Sequence, residues 1–335
     1  MNCKWFTVML SVPRPEQPTF LTKFHEISGL ALYLVTGLVL MCAPSLAHLI
    51  LQVDLLGRSE TYLRLVGIEL AVVGFNYVIT ARTRPRVPGA GYILASIPER
   101  LILVDVLILC LLSQKLLPLS LCLTAIIIDT LFAILTFVIW YRVTPNVSFS
   151  VFLKELSSPL FIRCLFNRSR GASSVVGAFG LLQFVYSIFF AIRPDFAREA
   201  FSLDPFEGHS AGYLGAFFVL SCESAWNQIY MGKARSVAFN ILTVFSRLCF
   251  KLPVLVILVA SSELEVGLGV FLILLDGAFA AITLMLLCLS GIQDEEPEDV
   301  IDAGETEAIM PKEPKAGATP TESENKKDPD FAEPQ

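Results

Sequence analysis

The chain has 335 residues, of which 54% are hydrophobic and only 17% are charged, and its formal net charge is −6. Soluble domains usually carry about a quarter of their residues as charged side chains, so this composition excludes an ordinary soluble domain. The acidic balance also offers no basic stripe for a nucleic acid, and no nucleic-acid partner is expected. Many charges lie in residues 291–335 or in a few short loops, which leaves long apolar runs between them.

Eight apolar runs are long enough to be transmembrane helices, since about 20 apolar residues cross the hydrocarbon core of a bilayer. In chain order the predicted spans are Ile27–Leu51, Tyr62–Thr80, Gly91–Ser113, Leu117–Tyr141, Val175–Ile192, Tyr213–Met231, Ala238–Ala260 and Val266–Ser290. Residues 291–335 contain too little apolar surface to fold. We therefore predict an all-α, multi-pass membrane protein of eight transmembrane helices with a disordered acidic C-terminal tail.

The Lys and Arg residues outside these spans predict the orientation of the chain. With eight spans, one side of the membrane carries only Arg58, Lys115, Arg193 and Arg198, and the side with both termini carries most of the others. Cytoplasmic loops are enriched in Lys and Arg. Both termini, the N-terminal segment 1–24 and the linker 146–173 are therefore predicted to be cytoplasmic.

The two halves of the membrane region, residues 25–145 and 174–290, resemble each other. A shift of 147 residues places Arg100 on Arg247 and Asp129 on Asp276. The same shift places Phe132, Ala133 and Thr136 on Phe279, Ala280 and Thr283. Two units with an even number of spans point the same way, so we predict two parallel four-helix repeats with a ligand cavity between them.

Ionisable side chains lie within or near the predicted spans, where insertion scales give a cost of about 2.5–3.5 kcal/mol for each one near the bilayer centre. They are Glu69, Glu99, Arg100, Asp105, Asp129, Glu223, Arg247, Lys251 and Asp276. Such residues face the bundle interior and are functional by default. Ion pairs Arg100–Asp129 and Arg247–Asp276 are the structural alternative, in which each pair joins the third and fourth helices of its repeat.

Glu69 and Glu223 are better site candidates, because neither has an acidic counterpart in the other half at these pairings. Asn76 follows the first glutamate by seven residues and Asn227 follows the second by four, so each pair shares a helix face. Arg247 and Lys251 also share a face, and Glu223 or Asp276 is their expected partner. The expected catalytic residues are Glu69, Asp129, Glu223 and Asp276, and the expected substrate-binding residues are Asn76, Asn227, Arg100 and Arg247.

This set of residue types suits acid-initiated chemistry without a cofactor. A buried carboxyl group that remains protonated can act as a general acid. Protonation of an epoxide or alkene gives a carbocation, which aromatic ring faces stabilise. The spans contain no phosphate-binding loop and no H-E-x-x-H metal motif, so neither a cofactor nor a metal is expected.

The region Ile27–Ser290 resembles the integral-membrane terpene cyclases of fungal meroterpenoid pathways, in its eight spans without Asp-rich motifs and its buried Glu, Asp and Arg residues. The resemblance implies cyclisation of a prenylated, isoprenoid-type lipophilic molecule in the endoplasmic reticulum membrane, with membrane lipid as the other partner. Two alternatives remain open. One is a multi-pass transporter of a small molecule, because parallel repeats and a charged midplane suit alternating access. The other is a non-catalytic membrane scaffold.

Overall fold

The computed structural model describes residues 20–82, 91–143, 148–150, 152–153, 171–233 and 237–289. Within these residues the regular structure is helical, which confirms the all-α class. The N-terminal segment up to residue 19, most of the predicted linker 146–173 and the predicted tail 291–335 lie outside the described residues.

The helices with described bounds are numbered in chain order. They are α1 (Phe20–Cys42), α2 (Ser45–Leu51), α3 (Ser59–Arg82), α4 (the consecutive segments Gly91–Pro98, Glu99–Val104 and Asp105–Ser113), α5 (Leu119–Val143), α6 (Ala172–Ile192), α7 (Pro194–Phe201), α8 (Ser210–Lys233), α9 (the consecutive segments Val237–Phe245, Ser246–Lys251 and Leu252–Ala260) and α10 (Val266–Leu289).

A helix lies at each of the eight predicted span positions. Six of them, α1, α3, α5, α6, α9 and α10, are long and apolar enough to cross a membrane. Helix α4 carries Glu99, Arg100 and Asp105, and α8 carries Glu223 among several amide and hydroxyl side chains. The long apolar helices support a multi-pass membrane protein, and α4 and α8 are its more polar members.

The first predicted span is wrong in its bounds. The sequence predicts one helix over Ile27–Leu51, whereas α1 ends at Cys42 and the short α2 begins at Ser45. The break occurs at Pro44, which lacks the backbone N–H that a continuing helix needs. A proline has the same position in the second half, where Pro194 begins the short α7 directly after α6.

Helices α3 and α8 form the centre of the bundle. Helix α3 packs against α1 and α8, and α8 also packs against α4 and α6. Tyr62 on α3 and Phe218 on α8 are fully buried. By contrast, Leu131 on α5 and Leu274 on α10 are 50% and 66% exposed. Polar side chains on the central helices therefore face protein, while the outer helices present an apolar surface of the kind that lipid covers.

Close packing of α1 against α3 depends on glycine. A Cβ atom on Gly37 would lie 2.4 Å from the backbone nitrogen of Ala71, and one on Gly74 would lie 2.3 Å from a backbone nitrogen of α1. Small residues let membrane helices approach this closely. The approach brings the rings of Tyr33 and Tyr77 edge to face, with 5.1 Å between their centroids.

Helices α4 and α9 contain matching π-helical segments. These are Glu99–Val104 and Ser246–Lys251, which are separated by the same 147-residue shift that aligns Arg100 with Arg247. Helix α1 contains another at Gly29–Val35. A π-helical turn changes the direction of the side chains around it and often occurs at functional sites. Both arginines therefore have the same place within the same type of local distortion.

Candidate functional site

Buried charged side chains form two clusters, one in each half of the bundle. The first-half cluster contains Tyr33, Tyr77, Glu99, Arg100, Asp129, Phe132 and Glu223. The second-half cluster contains Glu69, Phe179, Gln183, Arg247, Lys251, Asp276 and Phe279. The charged members are 1–8% exposed, so each needs a partner inside the protein.

The second-half cluster is an ion network of balanced charge. Arg247 forms an ion pair with Asp276, as the sequence predicts. The Nζ atom of Lys251 lies 2.9 Å from Oδ2 of Asp276 and also forms an ion pair with Glu69. Two cations therefore face two carboxylates, and mutual pairing compensates part of the large desolvation penalty of each charge.

Aromatic rings and an amide complete the surroundings of Arg247. Its guanidinium carbon lies 4.5 Å from the ring centroid of Phe279 and 5.5 Å from that of Phe179. Ring faces attract a cation in this range. Its Nη2 atom donates a 3.1 Å hydrogen bond to Oε1 of Gln183, so the arginine is fixed from three directions.

A small polar cavity lies in the second-half cluster between residues of the two halves. It is lined by Glu69, Val72, Asn76, Gln183, Ser224, Gln228, Thr243, Ser246, Arg247 and Lys251. Its volume of about 10 Å³ is room for about one water molecule. Among the described residues, Oδ1 of Asn76, Oε1 of Gln228 and Nε of Arg247 are buried without a hydrogen-bond partner. The cavity therefore offers unused donors and acceptors to a small polar guest.

Arg100 in the first-half cluster lies in an aromatic cage. Its guanidinium carbon is 5.0 Å from the ring centroid of Tyr77, 5.1 Å from that of Tyr33 and 5.9 Å from that of Phe132. None of its nitrogen atoms has a hydrogen-bond partner among the described residues. The expected ion pair with Asp129 is wrong, because the aromatic rings surround the guanidinium and Asp129 accepts a hydrogen bond from Tyr33.

The other two carboxyl groups of the first-half cluster differ in their bonding. The hydroxyl of Tyr77 donates a 2.6 Å hydrogen bond to Oε1 of Glu223. Both carboxyl oxygens of Glu99 are buried and have no hydrogen-bond partner among the described residues. This cluster therefore places three carboxyl groups near one guanidinium, and one of the three is unpartnered.

Each of the two central helices places its glutamate in the cluster of the opposite half. Glu69, on α3 of the first half, belongs to the second-half cluster, where Ser224 lies 3.4 Å from its Oε2 atom. Glu223, on α8 of the second half, belongs to the first-half cluster. Glu223 is therefore not a partner of Lys251, because the crossing of α3 and α8 carries it to the opposite side. Each glutamate thus lies in the cluster of the opposite half, although their sequence positions do not align.

The sequence-predicted site residues thus separate into two groups. Glu69, Asn76, Arg247 and Asp276 lie in or beside the second-half cluster. Arg100, Asp129 and Glu223 lie in the first-half cluster. Asn227 is fully buried on α8, and both polar atoms of its amide lack a partner among the described residues.

The hydroxyl and amide groups that hold the clusters together were not predicted from the sequence. Tyr33 and Tyr77 supply the hydroxyl donors of the first-half cluster. Gln183 links Arg247 to α8, where its Nε2 donates to the carbonyl of Ser221 at 3.1 Å. An amide in the middle of an apolar span was the available signal for Gln183.

Side chains of the two halves also bond to each other at one end of the bundle. Oδ1 of Asp54 lies 2.7 Å from Nδ1 of His209 and accepts a 2.9 Å hydrogen bond from Tyr213. Arg58 in turn donates to Asp204 at 3.1 Å. Partial burial by itself raises the pKa of Asp54, but the bonds from His209 and Tyr213 outweigh it and hold that pKa below its ordinary value.

Comparison of the chain with models of protein families, with curated proteins and with solved structures found no match.

Proposed function

We propose that this protein is a multi-pass membrane carrier that binds a small polar solute between its two halves. The observation that carries the proposal is the cavity of the second-half cluster. Glu69 and Asn76 reach it from the first half, while Gln183, Arg247 and Lys251 reach it from the second. Carriers built from parallel repeats bind their cargo at such an interface near the middle of the membrane.

The proposal includes eight spans in two parallel four-helix repeats with both termini in the cytoplasm. Support comes from the π-helical segments of α4 and α9, which lie at one common shift. In each half the arginine lies over a ring from the first long helix and a ring from the last. The exchanged glutamates add a reciprocal contact of the kind that twofold-related units make.

The chemistry of the cavity favours a solute that carries both charges. The charges of Arg247 and Lys251 are already balanced by those of Glu69 and Asp276. A solute with a net charge would therefore add a buried charge that has no partner of opposite sign. A zwitterion such as an amino acid adds one charge of each sign. Its carboxylate would bind the cations, and its ammonium group would bind Glu69.

Binding of such a solute requires the two halves to separate. The cavity holds about one water molecule in this conformation, so α3 has to move away from α9 before a larger guest enters. Separation breaks the contact between Glu69 and Lys251, and the solute's own charges replace it. Alternating access uses this kind of relative motion of two repeats.

Uptake into proteoliposomes tests the proposal. Purified protein is reconstituted and offered radiolabelled amino acids, small carboxylates and small amines. We expect saturable uptake of at least one zwitterion, absent from protein-free liposomes. Lys251→Met should abolish that uptake, and Lys23→Met, which changes an exposed lysine of α1, should retain it. Folded protein that takes up no solute, or equal uptake by Lys251→Met, would contradict the carrier.

A membrane terpene cyclase in the endoplasmic reticulum is the second candidate, and one observation favours it. The unpartnered Glu99 carboxyl belongs to the same cluster as the rings of Tyr33, Tyr77 and Phe132. A protonated Glu99 would transfer its proton to an alkene or epoxide of a prenylated substrate, and the rings would stabilise the cation. The substrate would have to displace the guanidinium of Arg100, which occupies the ring faces here.

The cyclase is tested by incubating membranes that contain the protein with prenylated aromatics and their terminal epoxides. Mass spectrometry should find a product of unchanged mass and altered retention time. The product should disappear in Glu99→Gln and persist in Glu199→Gln, which changes an exposed glutamate of α7. No product from any substrate would remove this candidate.

A further inference from the structure

The two clusters share their architecture but differ in charge. The second-half cluster has two cations and two carboxylates. The first-half cluster has Arg100 against Glu99, Asp129 and Glu223, so full ionisation would leave a net charge of −2 among side chains that are 1–8% exposed. An uncompensated charge at this depth is costly in a protein interior and in a membrane. Protons are the smallest cations able to remove the excess.

Hydrogen bonding distinguishes the carboxyl group that holds such a proton. Asp129 and Glu223 each accept a hydrogen bond from a tyrosine hydroxyl, which suits an ionised carboxylate. Glu99 accepts no hydrogen bond among the described residues. A buried carboxyl group that accepts no hydrogen bond costs much less free energy in its neutral form than in its ionised form. Glu99 is therefore the group whose surroundings match the protonated form.

Tyr77 connects this carboxyl group to the opposite half of the protein. Its one hydroxyl proton is used in the 2.6 Å hydrogen bond to Glu223. Glu99 interacts electrostatically with Tyr77, and neither of its carboxyl oxygens accepts a hydrogen bond among the described residues. Because a hydroxyl has only one proton, a hydrogen bond from Glu99 to the Tyr77 oxygen that leaves the bond to Glu223 intact would need a protonated Glu99 as its donor.

We infer that the first-half cluster is a proton-binding site in which Glu99 holds the proton and the Tyr77 hydroxyl links it to Glu223. Binding forms one O–H bond on a carboxylate with a proton from the aqueous phase, and release breaks it, without oxidation or reduction. Glu99 and Tyr77 belong to the first half and Glu223 to the second. The linked proton therefore bridges the same interface that the solute cavity occupies.

Other titratable groups face this site from the helices packed around it. They are His25 and Tyr33 on α1, Tyr77 on α3, Arg100 and Asp105 on α4, Asp129 on α5 and Glu223 on α8. A neighbouring cation such as Arg100 favours an ionised carboxylate, whereas neighbouring carboxylates such as Asp129 and Glu223 favour the protonated form. The balance of two carboxylates against one cation favours a bound proton.

Proton binding in this place would make the carrier proton-coupled, a role that rests on the proposed function. Separation of the halves for solute entry would part Tyr77 from Glu223. The Glu223 carboxylate would lose its donor, so the number of protons bound would depend on the position of the halves. Linkage of this kind works in both directions, since a solute that shifts the conformation also shifts proton affinity.

Infrared spectroscopy of the reconstituted protein tests the proton site without any solute. At neutral pH the wild type should show the C=O stretch of a protonated carboxylic acid, shifted in D₂O. Glu99→Gln should lose this band, and Tyr77→Phe should change its frequency. The matched control Glu199→Gln should leave it unchanged.

Absence of the band from the wild type, or its persistence in Glu99→Gln, would overturn the inference. If Glu99→Gln does not accumulate, Tyr77→Phe is measured instead. A carboxylic acid band of unaltered frequency in Tyr77→Phe would likewise overturn the inference. A band that depends on Glu99 in protein that takes up no solute would retain the proton site and remove the carrier. Solute uptake without such a band would retain the carrier and remove the proton site.

Discussion

Replacement of Lys251 by methionine should strongly destabilise the protein. The lysine is 5% exposed and contacts both Glu69 and Asp276. After its removal Asp276 keeps Arg247, whereas Glu69 keeps, among the described residues, the 3.4 Å hydrogen bond from Ser224. Removing one partner of a buried ion pair typically costs about 3–5 kcal/mol, because the remaining charge stays buried without compensation. We expect Lys251→Met to lower the free energy of unfolding by that amount.

A double-mutant cycle separates this effect from a general loss of packing. Glu69→Gln removes the opposite charge, so the double variant retains a balanced Arg247–Asp276 pair. The double variant should be more stable than the sum of the two single effects predicts, with a coupling energy of about 0.5–3 kcal/mol. Reversible unfolding with sodium dodecyl sulfate in mixed micelles, followed by circular dichroism, measures the four free energies.

Lys23→Met is the control for the loss of a lysine. Lys23 is exposed on α1, and surface substitutions usually change stability by less than about 0.5 kcal/mol. If Lys251→Met costs no more than Lys23→Met, the ion network does not stabilise the fold. Strictly additive effects of Lys251→Met and Glu69→Gln would show that these two side chains do not interact.

Two further predictions concern helix packing and the end of the bundle. Gly37→Ala should lower the free energy of unfolding by about 1–3 kcal/mol, because the added methyl group overpacks α1 against the backbone at Ala71. The control Gly277→Ala, whose Cβ would meet its nearest neighbour at 3.8 Å, should be neutral or stabilising. Equal melting temperatures of the two variants would refute the close contact at Gly37. Because the pKa of Asp54 is lowered by its bonded neighbours, its contribution to stability is present above the unfolded pKa of about 4 and is lost as the pH falls through the folded value. Asp54→Asn should therefore flatten the acid limb of a plot of melting temperature against pH below about pH 5, and an unaltered limb would exclude this role for the hydrogen bonds between Asp54 and His209.

The sequence determined the helical class and the position of the long helices. Apolar runs of about 20 residues form helices in a membrane because all backbone groups must bond within the segment. This local rule places a helix at every predicted span. Pro44 is the local signal for the break after α1, which the predicted span Ile27–Leu51 does not include. Burial of the charged residues was also predictable, since a charged side chain avoids lipid. The predicted repeats remain a prediction, supported by the common shift of the π-helical segments.

Only the tertiary structure decided which charges meet. Lys251 and Glu69 are 182 residues apart in sequence, and nothing local in either helix indicates the other as its partner. Arg247 forms the ion pair with Asp276 that the sequence predicts, whereas Arg100 in the aligned position is surrounded by aromatic rings. The difference arises because partner choice depends on how α3 and α8 cross at the centre of the bundle. Helix formation is encoded within each segment, but the pairing of buried charges is a property of the packed interior.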